Sequence, residues 1–203
     1  SSALYEIDPN SYAVTSIGTF QGANVLSTGI TDIAVDLFGE MWATGFAEIY
    51  EVDSSTAALT ERHYDFTLYG MNAMTFLADG RLLTGAEDRL YEVNRSTGAT
   101  SLLTTLPGFL FAGDMVGLPD GLLYMLMCLG SRPPCQTSMV VLDLSDLGAG
   151  AQEVGPTGQG DMFGVAYHNG NGLIYGFNSA GDIFLLEPTT GLATLVSSPG
   201  QEW

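Results

Sequence analysis

Four short stretches carry the residues best suited to chemistry: Thr31-Asp32-Ile33, Asn72-Ala73-Met74, Gly113-Asp114-Met115 and Gly160-Asp161-Met162. They recur at the starts of equivalent segments, so Asp32, Asn72, Asp114 and Asp161 meet if those segments converge. Carboxylates gathered in a poorly solvated space repel one another. A hard cation relieves that repulsion, since Ca2+ accepts about six to eight oxygens from carboxylates, amide side chains and backbone carbonyls. A second reading stays open, in which the polar residues cap strands and hold channel water.

The remaining reactive groups are scattered. His63 falls in Thr60-Glu61-Arg62-His63-Tyr64, a segment far from the acidic set, and His168 sits at a turn on the opposite side. No His-Glu-Xaa-Xaa-His, no Gly-Xaa-Ser-Xaa-Gly and no phosphate-cradling glycine loop occurs, so the chain reads as a binding protein rather than an enzyme. Cys128 and Cys135 lie close together, and a zinc site would need four ligands. A small disulfide loop is the expected pairing, which favours a secreted or extracytoplasmic location. Arg132 lies inside that loop, which reads either as a recognition element or as a stapled surface insertion.

Those groups must be positioned by a packed domain, and 203 residues with 46 % apolar and 10 % aromatic content suffice for one core. Twenty-three acids stand against five arginines with no lysine, a net charge of −18. That field repels phosphate backbones and anionic lipid, which counts against nucleic acid and the membrane surface as partners; neither nucleic-acid binding nor membrane insertion is expected. No apolar run approaches the roughly 18 uncharged residues of a membrane helix. The opening Ser1-Ser2-Ala3-Leu4-Tyr5 has neither a basic leader nor a signal-like core, and reads as mature, soluble protein.

The chain repeats itself. Leu4-Tyr5-Glu6-Ile7-Asp8, Ile49-Tyr50-Glu51-Val52-Asp53, Leu90-Tyr91-Glu92-Val93-Asn94, Val140-Val141-Leu142-Asp143 and Phe184-Leu185-Leu186-Glu187 match one another. Each precedes turn residues and a further β-rich run, as in Asn94-Arg95-Ser96-Thr97-Gly98 before Ala99–Leu103. Two more runs precede four of these units, separated by glycine-containing turns such as Asp79-Gly80 and Asp120-Gly121. The unit is therefore four antiparallel strands with a period of about 40 to 50 residues, that of a propeller blade. An all-β propeller is expected, with blades over 29–68, 69–111, 112–159 and 160–199 and outer strands of a closing blade in 4–28. Five blades with an incomplete last one is the favoured count; the alternative is four blades with an extra amino-terminal hairpin. An incomplete blade leaves a sheet edge that predicts strand pairing with a partner chain.

The axial set resembles that of the olfactomedin domain, a five-bladed propeller with calcium on its axis. The resemblance implies ligands from Asp32, from Asn72 with the Ala73 carbonyl, and from Asp114 with the Gly113 carbonyl; Asp161 enters at the same end of the fourth blade. Three functions follow as expectations: a secreted, non-enzymatic propeller that binds a protein or small-molecule ligand around a structural Ca2+; a metal-dependent enzyme of lactonase or lyase type; or a repeat module of a larger secreted assembly.

Overall fold

Turn chemistry sets the repeat. Asp53 Oδ1 accepts from the N–H groups of Ser55 at 2.9 Å and Thr56 at 3.2 Å, and Asn94 Oδ1 does the same for Ser96 at 3.0 Å and Thr97 at 3.2 Å. Asp8 and Asp143 close equivalent turns. A side chain that accepts from the backbone two and three residues on holds the chain in a tight reversal. Gly98 and Gly191 end two of these turns at φ 73° and 77°, a left-handed conformation that glycine adopts without a Cβ penalty.

The computed structural model describes residues 2–22, 29–130 and 135–200; Arg132 lies outside them. β1 (Ala3–Ile7) and β2 (Val14–Thr19) form a two-stranded sheet. Blade one contains β3 (Asp32–Val35), β4 (Met41–Thr44), β5 (Glu48–Asp53) and β6 (Ala58–Tyr64); blade two contains β7 (Met71–Phe76), β8 (Leu82–Ala86), β9 (Arg89–Val93) and β10 (Thr100–Thr105). Blade three contains β11 (Phe109–Gly117), β12 (Leu122–Leu129), β13 (Gln136–Asp143) and β14 (Gln152–Gly160), and blade four β15 (Met162–His168), β16 (Leu173–Asn178), β17 (Ile183–Leu186) and β18 (Ala193–Ser197). Every sheet is an antiparallel meander in chain order, so the fold is an all-β propeller of four-stranded blades. Among the described residues no helix is long and apolar enough to cross a membrane.

The blade count is four, which corrects the five-bladed expectation. Among the described residues β1 and β2 pair only with each other, and they dock on blade one. Leu4 is buried with Ala43, Tyr50, Val52 and Leu59, and the main chain of Gln21 bridges to blade one, accepting from the Leu59 N–H at 2.7 Å. At the hairpin tip, Tyr12 meets Tyr175 of blade four edge-on at 6.4 Å.

The core lies between blades. Trp42, Ile49, Met74 and Tyr91 fill the first junction, Leu83, Phe111, Met115 and Val140 the second, and Tyr124, Met139, Met162 and Phe184 the third. The inner strands pack accordingly, β3 on β7, β7 on β11 and β11 on β15. Among the described residues, no buried cluster joins blade four to blade one. The hairpin spans that junction, with a cleft beneath it.

The expected disulfide is present. Cys128 and Cys135, 5.8 Å apart at Cα, join the end of β12 to the segment entering β13. For a cysteine separation of seven residues, chain entropy gives a stabilisation of about 2–3 kcal/mol. The double variant Cys128→Ser/Cys135→Ser should therefore melt about 5–10 °C lower by calorimetry, with its far-ultraviolet spectrum unchanged. Coincident melts would remove the staple from the stability argument.

Candidate axial site

The inner strands carry a polar latch from one blade to the next. Asp32 on β3 accepts from its neighbour Ile33 N–H at 2.8 Å and, across the junction, from Met74 N–H on β7 at 2.5 Å. Asp114 on β11 repeats the pattern, accepting from Met115 N–H at 2.6 Å and from Val165 N–H on β15 at 2.9 Å. Blade two has Ala73 at this position, and there the Thr75 hydroxyl accepts from the Gly117 N–H at 3.3 Å. Thr31 reinforces the first junction by directing its hydroxyl at the carbonyls of Thr44 and Met71.

Asp32 and Asp114 line the same cavity, and the charge of each bears on the other. Burial pushes the Asp114 carboxyl up to about 7 against the donated N–H bonds. Burial first, and then the charge of Asp114, raises Asp32 well above the ordinary carboxylate range. Two carboxyls that share a poorly solvated cavity cannot both ionise cheaply, so without a cation the pair retains a proton at neutral pH.

Asn72 is the third member. Its amide nitrogen donates to the Phe111 carbonyl at 3.4 Å, while its Oδ1 is buried with no hydrogen-bond partner. An unsatisfied buried acceptor costs about 1–3 kcal/mol. Two carboxyl groups and a neutral amide oxygen form a hard-oxygen donor set that suits a divalent cation. Among the described residues no three acidic, histidine or cysteine side chains converge, so the carboxylate count is two.

The other expected ligands stand differently. Asp161 is exposed, with φ 53°, and a register shift between Met162 and Gly164 puts Gly164 where blades one and three have Asp. Val165 then presents its N–H to Asp114 just as Met74 does to Asp32, and Asp161 stays outside the set. The Ala73 carbonyl accepts from the Thr84 hydroxyl at 2.9 Å, which engages it within its own blade. Gly113 serves close approach: a Cβ there would lie 2.2 Å from the Phe163 carbonyl oxygen.

The site opens into a cavity of about 1440 Å³ between blades four and one, under the hairpin. Asp32, Asn72 and Asp114 are among the residues that line it, as are Ile7, Phe20, Phe163 and Phe177. The incomplete blade expected from the sequence points to an open edge, but the position of this cleft depends on where the hairpin docks. His168 also lines it, at the far end of β15, about 10 Å of strand beyond Val165.

No protein-family model and no curated protein matches the chain. Solved structures do resemble it. A structure of a nidogen/laminin complex superimposes with a TM-score of 0.65 at 13 % identity, over 98 % of this chain and 74 % of that one. Virginiamycin B lyase from Staphylococcus aureus gives 0.57 at 12 % identity over 96 % and 62 %. The carboxy-terminal WD40 domain of Sif2 gives 0.50 at 15 % identity over 98 % and 55 %. The chain thus spans little more than half of the latter two, and at these identities the likeness concerns the fold.

Proposed function

We propose that the chain is a binding propeller that holds one hard cation on its axis through Asp32, Asp114 and the Asn72 amide oxygen, and takes its ligand in the cleft above. The observation that carries this reading is the Asn72 Oδ1, buried without a partner in a residue that lines the same cavity as Asp32 and Asp114, where desolvation of the two carboxyls favours either a shared proton or a shared cation. The cation is structural: the carboxylates that would hold it already tie blade one to blade two and blade three to blade four, so charge neutralisation there strengthens two junctions at once. Ca2+ is the cation best matched to this all-oxygen set. The disulfide supports a secreted or extracytoplasmic setting, where calcium is abundant. The presence of a nidogen/laminin complex among similar folds is consistent with a protein-binding role.

Thermal melting tests the proposal. Calcium added to chelator-treated protein should raise the midpoint at neutral pH by roughly 5–10 °C, as binding at about a hundred times Kd adds about 2.7 kcal/mol. Asp114→Asn should abolish the response. Identical melts with and without calcium would sink the reading.

A further inference from the structure

We infer that Asn169 is a self-modification site, at which the chain converts its own asparagine to aspartate and isoaspartate through a succinimide, with water as the co-reactant. Asn169 is not among the residues that hold the proposed cation or line the cleft, so this chemistry stands apart from the binding role.

Asn-Gly occurs twice in the sequence, at Asn169-Gly170 and Asn171-Gly172, and both copies lie in the turn between β15 and β16. A backbone nitrogen attacks the preceding asparagine side chain most readily where its own residue has no Cβ to obstruct the approach. Sequence alone therefore gives the two asparagines the same reactivity.

The fold separates them. In blades two and three the corresponding turn is closed by Asp79 and Asp120, whose Oδ1 atoms accept from the N–H groups of Arg81 at 3.0 Å and Leu122 at 3.1 Å. Asn171 takes that place in blade four, accepting from the Leu173 N–H at 3.1 Å. Its Nδ2 donates to the Tyr175 hydroxyl at 2.9 Å, and the Gly172 N–H that would attack it donates to the His168 carbonyl at 2.9 Å. The blade-four turn is also one residue longer. Leu77 and Leu118 bond across three residues to Arg81 and Leu122, whereas His168 pairs with Leu173 across four. Asn169 and Gly170 hold the added length. Both are exposed, and among the described residues neither the Asn169 side chain nor the Gly170 N–H has a hydrogen-bond partner. The nucleophile and the amide are thus both unengaged at Asn169, and both tied down at Asn171.

The step needs no oxidant or reductant. The Gly170 nitrogen, having lost its proton to solvent, forms a bond to Asn169 Cγ; the Cγ–Nδ2 bond breaks, and the side-chain nitrogen leaves as ammonia with a proton from water. Water then opens the cyclic imide at either carbonyl. One opening gives aspartate, and the other gives isoaspartate, in which the main chain runs through Cγ. Either product adds a carboxylate at neutral pH to a chain that already carries −18.

The test is incubation of the intact, folded protein at neutral pH. Tandem mass spectrometry locates each event, and methyl transfer from S-adenosylmethionine by an isoaspartyl methyltransferase counts isoaspartate. Asn169 should convert at least about tenfold faster than Asn171, which must first give up its hydrogen bonds. In urea, where those bonds are lost, the two rates should agree within about threefold. Tyr175→Phe removes the acceptor of the Asn171 amide, so it should raise the Asn171 rate in the folded protein by about threefold or more and leave Asn169 unchanged. Gly170→Ala should slow Asn169 at least about tenfold by obstructing the attacking nitrogen. Its Cβ would stand 2.8 Å from the His168 Cε1, at the end of a side chain that can turn aside, and the urea and Tyr175→Phe arms do not depend on that variant. Equal rates in the folded protein, conversion of Asn169 only after unfolding, or aspartate without isoaspartate, the mark of direct hydrolysis, overturns the inference.

Discussion

In the presence of chelator, the thermal midpoint should fall as pH rises from about 4 to about 7, the reverse of the trend expected from salt-bridged carboxylates. The folded chain holds Asp114 at about 7 against an ordinary value of 3.8, and Asp32 is raised in the same direction. A carboxyl whose folded value is raised keeps a proton that the unfolded chain has released, so its stabilisation is complete at the acid end of this window and disappears as pH climbs through the folded value. For Asp114 the difference of about 7 − 3.8 corresponds to on the order of 4 kcal/mol at about 1.36 kcal/mol per unit. At about 2–4 °C per kcal/mol, the midpoint should move by about 10 °C. Below the window the slope reverses: turn aspartates such as Asp53 and Asp143 are held low by the hydroxyls and N–H groups of their serine neighbours, and that stabilisation disappears as they protonate. Maximal stability without a cation thus falls near pH 4–5. Asp32→Asn/Asp114→Asn should flatten the limb between about pH 4 and 7, and excess calcium should invert it for the parent protein, because the cation demands the ionised pair. A midpoint that rises steadily across this range in chelator would contradict the buried-pair assignment.

How much of this arrangement could be read in advance depends on the range of the interaction concerned. The turns were legible because their chemistry is local: Asn94-Arg95-Ser96-Thr97-Gly98 contains both the acceptor and the left-handed glycine that it needs. The four blades were legible because each repeats such turns at a regular spacing. Asp32 and Asp114 could be paired from the repeat alone. Asp161 could not be excluded from it, because the register of β15 on β16, which puts Gly164 and Val165 at the junction with blade three, leaves no mark in composition or periodicity. The blade count was decided by tertiary packing: Leu4 finds its partners in blade one and Tyr12 finds Tyr175 in blade four. Neither contact has a local signature, and the cleft is their consequence. The same holds for Asn72, whose significance is not its identity but that nothing satisfies its Oδ1.

Gly113→Ala should be among the most damaging single-methyl changes in the chain, and it reports on the axial site without altering any polar group there. A Cβ at residue 113 would approach Phe163 to 2.2 Å at the carbonyl oxygen and 2.5 Å at Cα. These are backbone atoms of β15, so no rotamer change relieves the clash and the strands must separate. Separation pulls the Val165 N–H away from Asp114, to which it donates at 2.9 Å, and leaves a buried donor and a buried carboxyl short of a partner, at about 1–3 kcal/mol for each such group. It also loosens the third junction, where Met162 and Val165 pack with Leu126 and Phe184. The sum is at least 4 kcal/mol in order of magnitude, and a fall of more than about 10 °C in the thermal midpoint. Gly160→Ala is the control: it lies on β14, with nothing within 4 Å of the added atom, and should shift the midpoint by no more than about 2 °C. Hydrogen exchange distinguishes the mechanism from general instability. The Val165 amide should lose protection in Gly113→Ala well before the Met74 amide, because only the latter's latch to Asp32 lies at the first junction. Equal loss at both amides would mean that the blades do not respond junction by junction, and the axial carboxyls would then not be acting as separate clasps.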